Sequence, residues 1–449
     1  MQPGSKKLGQ AIGLYTSPHL RFVRERIQIN NTPLSEEKFA RYFFEVWDRL
    51  EASAKAGGHE PASKPVYFRF LTLMALHTYM SEKVDTAVIE CGIGGAYDST
   101  NIITQPLVTG ITNLAIDHVG LLGETIDQIA WHKAGIMKKG TKCFTVPQRE
   151  AAMKVLQQRA QEQGVELAVV PVHPELEAGT VQLGLSGSFQ KENASLAIAM
   201  AQHVLAKRGV SVDDTNFLSH EFERGLKEVK WGGRCETRNE PGITWYIDGA
   251  HTAESMKLVA AWFAEQLEST NKRGNRQRQD KRILIFNQQT RDGDALITAL
   301  YYTLSATMAS KNSPVFTHAI FCPNITCKSA TWRTNSHFSS TAKSLSPTRQ
   351  TFSPDLVAKN SNPDDLRDFS VQRALAQRWQ ELDPSTDVRV IESVEEAVDI
   401  ARAVAGKTEA NQTGGDMHEG ENIAEGQTVP VLVTGSLHLV GAFLEVLES

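Results

Sequence analysis

The sequence has few cysteines, no long apolar run and no excess of one charge, and each shortage removes a class of protein. Five cysteines in 449 residues, Cys91, Cys143, Cys235, Cys322 and Cys327, are too few and odd in number for a secreted disulfide framework, so a reducing compartment is expected. No stretch approaches the ~18 consecutive apolar residues of a membrane span. The start, MQPGSKKLGQAIG, has neither the apolar core of a signal peptide nor the pattern of a transit peptide. With 47 basic against 52 acidic residues the net charge is -5, which provides no global field for nucleic acid or anionic membrane. Anionic ligands would need a pocket of their own. The remainder, 41% apolar and 22% charged, is ordinary for a soluble globular chain, and the length allows two large domains or three small ones.

From residue 10 to 330, apolar β-branched runs alternate with amphipathic windows, the pattern of parallel sheets covered by helices, so the expected class is α/β. The clearest helix follows Ser35, with Phe39, Tyr42, Phe43, Val46, Trp47 and Leu50 at spacings of three and four and Glu36 and Glu37 at its positive end. Strands are expected at 85–89, 108–113, 142–146 and 166–170, with helices at 150–163, ended by Gly164, and at 191–207. After Trp231-Gly232-Gly233-Arg234 the cycle restarts. Strands at 244–247, 282–286 and 318–321 alternate with helices at 252–267 and 294–304; a strand at 388–391, a helix capped by Ser393, a strand at 429–434 and a last helix complete a second α/β domain. The expected boundary lies at 230/231. Polar stretches near 269–281, 328–363 and 407–427 are read as insertions, too polar to offset the entropy of ordering. No internal repeat is evident.

In open α/β sheets ligands bind beyond the carboxyl ends of strands, so polar residues directly after apolar runs are the candidates. Four places qualify: Thr16-Ser17-Pro18-His19, Glu90 followed by Gly92-Ile93-Gly94-Gly95, Asp117-His118, and Asp248-Gly249-Ala250-His251. Each alone is weak. The glycine turn lacks the third glycine of a dinucleotide fingerprint, and a lone His118 is as readily a hydrogen-bonded loop residue. Ser17, Glu90 and His118 together supply a hydroxyl, a carboxylate and an imidazole at successive strand ends; magnesium prefers the two oxygen donors. Lys133, in Trp131-His132-Lys133-Ala134-Gly135-Ile136, reads by composition alone as a helix lysine with a buried stem.

Five segments in order, LYTSPHLRFVRERIQINN, IECGIGGAYDSTNII, ITNLAIDHVGLLGETIDQIAWHKAGIMK, KWGGRCE and YIDGAHTAES, closely resemble the folylpolyglutamate synthases of the Mur ligase superfamily, in their eukaryotic or fungal form. The resemblance implies two doubly wound domains, an ATP- and folate-binding domain over 1–230 and a smaller glutamate ligase domain over 231–449. It implies an ATP-dependent ligase that adds L-glutamate to the γ-carboxyl of tetrahydrofolate or its polyglutamate tail through an acyl phosphate, serving folate retention and one-carbon metabolism. Carried over by position, it implies magnesium on Ser17, Glu90 and His118, with Lys133 and His118 catalytic and Lys133 carbamylated. ATP falls to Arg234 and Asp248, with Asn193 and His251 as neighbours, and substrate to Thr16, Ser17 and His19. Asn287, Gln288, Thr290, Arg291 and Asp292 match the family's FNQQTRD segment and are expected to face a cleft between the domains. A monovalent cation, a monomeric state, no nucleic-acid partner and a cytoplasmic or mitochondrial setting, in the matrix or at the inner membrane, complete what it implies.

One family feature is missing. No GxxxxGK[ST] phosphate loop occurs; Gly4-Ser5-Lys6-Lys7 does not fit it and follows no strand. The first strand and phosphate loop of the family's first domain are therefore expected to be absent, and the 449-residue chain to ligate little by itself. Dihydrofolate synthase and a non-catalytic folate- or partner-binding relative stand as alternatives.

Overall fold

The computed structural model describes residues 11–60, 64–210, 217–272, 281–308, 314–326, 369–406 and 428–449. Two compact units divide the chain: Met1–Leu183 with Phe189–Glu228, and Gly184–Ser188 with Val229–Ser449.

The first unit begins with β1 (Ile12–Tyr15), β2 (Ile27–Ile29) and β3 (Thr32–Pro33). Asn30 and Asn31 both take positive φ, 51° and 60°, and turn the chain back between β2 and β3 as an antiparallel hairpin. Helices α1 (Glu36–Ala56) and α2 (Tyr67–Ser81) follow, then β4 (Thr86–Ile89), which pairs parallel to β1 and completes a sheet ordered β3-β2-β1-β4. Ser35 caps α1 by accepting from Lys38 N at 3.2 Å, and the helix buries Tyr42 and Val46 with Phe39, Phe43, Trp47 and Leu50 around them. Each such side chain, fully buried, contributes about 1.5–3 kcal/mol.

The rest of the unit is β5 (Val108–Ile111), α3 (Val119–Leu122), α4 (Ile126–Ala134), β6 (Lys142–Thr145), α5 (Glu150–Gln163), β7 (Glu166–Val169), α6 (Pro174–Ala178), α7 (Gln190–Lys207) and α8 (His220–Glu228). Strands β5-β6-β7 form a parallel sheet of their own. Gly164, at φ 63°, ends α5 as expected. The expected parallel pairing is present in both sheets of this unit, and the β2–β3 hairpin makes the first of them mixed.

The second unit contains β8 (Glu236–Glu240), β9 (Ile243–Ile247), α9 (Ala253–Lys272), β10 (Ile283–Phe286), α10 (Gly293–Thr307), β11 (His318–Phe321), α11 (Ser370–Leu382), β12 (Asp387–Val390), α12 (Val394–Gly406), β13 (Val429–Thr434) and α13 (Leu437–Glu448). Its sheet runs β12-β11-β10-β13-β9-β8, parallel except for β8 at the edge. Every residue of β9, β10 and β13 is buried, which matches the continuous apolar runs of a sheet covered on both faces. The polar stretch expected from Ser269 starts later, because α9 continues through Lys272. Residues 273–280 and the whole of the other two polar stretches lie outside the described residues. No described helix is long and apolar enough to cross a membrane.

Candidate active site

Strands β1 and β4 place two polar loops side by side. The register pairs Tyr15 with Ile89, so Thr16 and Glu90 leave adjacent strand ends together. Thr16 Oγ1 donates to Glu90 Oε2 at 2.5 Å, and Ser17 N donates to the same oxygen at 2.8 Å. Hydrogen bonds to a charged group contribute about 1.5–3 kcal/mol each, so this pair fixes the carboxylate firmly. Glu90 Oε1 and the Ser17 hydroxyl have no partner among the described residues. Thr16, expected only as a substrate contact, is thereby a positioning residue for Glu90.

The glycine turn after Glu90 is filled by its own chain. Asp98 Oδ2 accepts from Gly92 N at 3.0 Å and Ile93 N at 2.9 Å, while Oδ1 accepts from Thr100 N and Oγ1 at 2.9 and 2.6 Å. Those amides are not available to cradle a phosphate. The glycines serve packing: a Cβ on Gly92 would sit 2.5 Å from the Phe68 ring, and one on Gly95 would sit 2.9 Å from His132 O.

That packing fastens the end of α4 to the turn. Ala96 N donates to His132 O at 2.8 Å; Asn101 Nδ2 donates to Ala96 O and Gly135 O at 3.0 and 3.2 Å; Lys138 Nζ donates to Asn101 Oδ1 at 2.7 Å and Gly135 O at 3.2 Å. Lys133, one residue past His132, therefore belongs to the Glu90 neighbourhood. The Cys91 thiol registers both: burial pushes its pKa up, the Thr100 hydrogen bond and Lys133 pull it down, and Asp98 and Glu90 add to the rise. The Lys133 side-chain amine has no hydrogen-bond or ion-pair partner among the described residues. Neither the Asn101–Lys138 brace nor the Asp98 cap was singled out from the sequence; the only hint was Asp98-Ser99-Thr100, a capping pattern.

His118 stands at the start of α3 with a left-handed backbone, φ 53°, an arrangement that costs a non-glycine residue about 1–3 kcal/mol and tends to collect at functional sites. Its backbone N donates to Asp117 Oδ1 at 2.6 Å, and its Nε2 lies 3.7 Å from Asp117 Oδ2. His19 Nδ1 accepts from Arg26 Nε at 2.9 Å. Asn193, in the first turn of α7, donates to Gln190 Oε1 at 3.0 Å.

In the second unit the WGGRCE turn is tied to the end of β9. Gly249 N donates to Gly233 O at 3.0 Å, and Asp248, 5% exposed, accepts from Cys235 N through Oδ2 and from Ala250 N through Oδ1, both at 2.8 Å. Burial raises the Asp248 pKa, against the pull of the Cys235 and Ala250 amides and the Arg234 charge. Arg234 is partly exposed and makes no ion pair among the described residues. His251 Nδ1 lies 2.8 Å from Gly249 O, which fixes the proton on that nitrogen. Asn287 and Gln288, expected to face a cleft, are instead buried inside this unit. Asn287 bonds Asn324 and Gln372, and Gln288 bonds Gly435 O and the amides of Thr290 and Arg291. They are structural pins; Thr290 and Asp292 are exposed and Arg291 partly so.

No protein-family model matches the chain. Over 440 residues it is 44% identical to the folylpolyglutamate synthase of Neurospora crassa, covering 97% of this chain and 75% of that one. The chain belongs to the folylpolyglutamate synthase family. It is also 38% identical over 448 residues to the folylpolyglutamate synthase of Saccharomyces cerevisiae, covering 97% of this chain and 72% of that one. It thus spans about three quarters of the length of these curated family members. Among solved structures, Mycobacterium tuberculosis folylpolyglutamate synthase complexed with ADP and AMPPCP aligns with a TM-score of 0.65 at 23% identity, over 96% of this chain and 84% of that one. The Thermotoga maritima folylpolyglutamate synthase gives 0.62 at 21%, over 98% and 82%. These two likenesses show the two-domain Mur-ligase fold. Neither alternative raised by the sequence, dihydrofolate synthase or a non-catalytic relative, is favoured by these family members.

Proposed function

We propose that this ligase adds L-glutamate, at the expense of ATP, to the γ-carboxyl of tetrahydrofolate or its polyglutamate tail. The carboxylate oxygen attacks the γ-phosphorus and ADP leaves; the glutamate amine then attacks the acyl phosphate carbonyl, phosphate departs, and the nitrogen releases its proton as the amide forms. A carboxylate is a poor acylating agent, and the reaction brings several anions together, so the site must offset their repulsion.

The observation that carries this reading is the Thr16-Ser17-Glu90 junction in a chain of this family. Two donors pin one oxygen of Glu90, and the other oxygen and the Ser17 hydroxyl stand without partners. That donor set fits magnesium, which takes oxygens and keeps several waters; among the described residues no three His, Cys, Asp or Glu side chains gather as a closed cage. Glu90 and Ser17 would hold it with His118, and when bound it neutralises charge on the transferring phosphoryl group. Lys133 and Glu90 both act on the Cys91 thiol, and a carbamate on the Lys133 amine would support the same site. Arg234 contributes a guanidinium for phosphate and Asp248 stiffens the loop that presents it, nearer the ribose.

The test is glutamate incorporation, followed by mass spectrometry with ATP, magnesium and either tetrahydrofolate or dihydropteroate. It is run on the protein and on its Glu90→Ala variant. Tetrahydrofolate should be extended, and Glu90→Ala should abolish turnover. Use of dihydropteroate alone, or full activity of the Glu90 variant, would contradict the proposal.

A further inference from the structure

Arg26 is the most unusual charge in the first unit. Its residue is 8% exposed, its guanidinium lies over the Tyr67 ring at 5.6 Å, and its Nε donates to His19 Nδ1. It bonds no carboxylate among the described residues, and its two terminal nitrogens have no hydrogen-bond partner there. A guanidinium with so little exposed surface ordinarily has an acid beside it; here the stem and Nε are enclosed while the terminal nitrogens keep contact with solvent. The acid next to it in the chain is already engaged: Glu25 accepts from the amides of Leu20, Arg21 and Phe22.

Its place is equally specific. Arg26 O accepts from Thr16 N at 3.1 Å, and Thr16 Oγ1 is the donor that holds Glu90. The cation is therefore linked through one residue to the carboxylate of the proposed reaction centre. His19 presents an unprotonated Nδ1 to the Arg26 Nε–H, so this contact supplies no countercharge, and the Tyr67 face fixes the guanidinium plane. What is left is the outer fork of two N–H-bearing nitrogens, whose spacing matches the two oxygens of a carboxylate.

We propose that Arg26 is a substrate-binding residue that receives the carboxylate of a glutamyl unit, either on the pteroyl substrate or as free glutamate. This assignment rests on the folate-ligase reading above and adds to it the group that recognises the glutamyl anion. A guanidinium held this way favours a ligand that carries the carboxylate, because only that ligand pairs with the fork.

Affinities of the 449-residue chain for pteroate, pteroylmonoglutamate and free glutamate, measured by calorimetry for wild type, Arg26→Gln and Arg26→Lys, decide the matter. Wild type should prefer pteroylmonoglutamate to pteroate roughly tenfold or more. In Arg26→Gln that preference should vanish while pteroate affinity holds, and Arg26→Lys, which keeps charge without the fork, should retain only part of it. Loss of the pteroylmonoglutamate preference assigns the carboxylate to the pteroyl substrate; loss confined to free glutamate assigns it to the incoming amino acid; both support the proposal. Equal weakening of pteroate and pteroylmonoglutamate would make Arg26 purely structural, and unchanged affinity for all three compounds in folded Arg26→Gln would overturn the assignment. A wild-type chain that binds none of the three compounds overturns the folate reading and this assignment with it.

Discussion

Replacing Gly95 with alanine measures how tightly the turn behind Glu90 is locked to the helix that carries Lys133. Gly95 is buried and has an ordinary backbone φ, so alanine is conformationally allowed and only space opposes it. The added Cβ would lie 2.8 Å from Ile136 Cγ2, 2.9 Å from His132 O and 3.0 Å from Lys133 O. Ordinary carbon contacts are ~3.5–4.0 Å, so the partners must retreat by roughly 0.5–1 Å. Two of them are backbone carbonyls and cannot swing aside as a side-chain tip does. Overpacking of this kind costs about 1–3 kcal/mol, and the adjacent bond from Ala96 N to His132 O would weaken with it, giving about 2–3 kcal/mol in all. For a unit of this size that lowers Tm by roughly 4–12 °C. Gly120→Ala is the control, since Gly120 lies in α3 with nothing within 4 Å of its would-be Cβ and should change stability by less than about 1 kcal/mol. Thermal unfolding followed by circular dichroism reads both. If Gly95→Ala melts with Gly120→Ala, the close contact between turn and helix is refuted.

Two predictions concern pH. Burial raises the Asp248 carboxyl above its ordinary 3.8, so just above that pH the folded chain keeps a proton that the unfolded chain has released, and stability falls as pH rises through the window. Asp248→Asn should show a shallower fall in urea-unfolding stability from about pH 4 upwards; identical slopes would refute the buried-carboxyl account. Glu82 has the opposite sign: hydrogen bonds from Tyr42 and Lys38 hold it below its ordinary 4.5, so its stabilisation is present above that pH and lost as pH falls through the lowered value. Because Lys38 is 47% exposed, the effect is about 1 kcal/mol or less, and Glu82→Gln should flatten the acid limb of the first unit's stability; an unchanged limb refutes it.

The parts of the fold visible in the sequence are those where one physical pattern dominates. Strands β10, β11 and β13 are continuous apolar runs, and α1 has a clean three-four spacing with a Ser35 cap. Helix α2 escapes because it buries seven residues and lacks a polar face to give contrast, and β8, Glu-Thr-Arg-Asn-Glu, reads as loop because an edge strand carries charge. At the site, Ser17 and Glu90 are legible as polar residues after apolar runs. Their junction is not, since Thr16 and Glu90 are 74 residues apart and meet only through the pairing of β1 with β4. Arg26 and Asn101 escape for the same reason: what distinguishes each is its surroundings, and those are assembled by distant segments.

The parallel sheet of the second unit also sorts its polar groups by rim. Asp248, Asn287 and Gly435 follow the carboxyl ends of β9, β10 and β13, which run the same way and therefore deliver all three to one side. A change at the amino ends of these strands leaves that side undisturbed. The same topology that gathers the polar residues at one rim thus leaves the other rim as ground for variation.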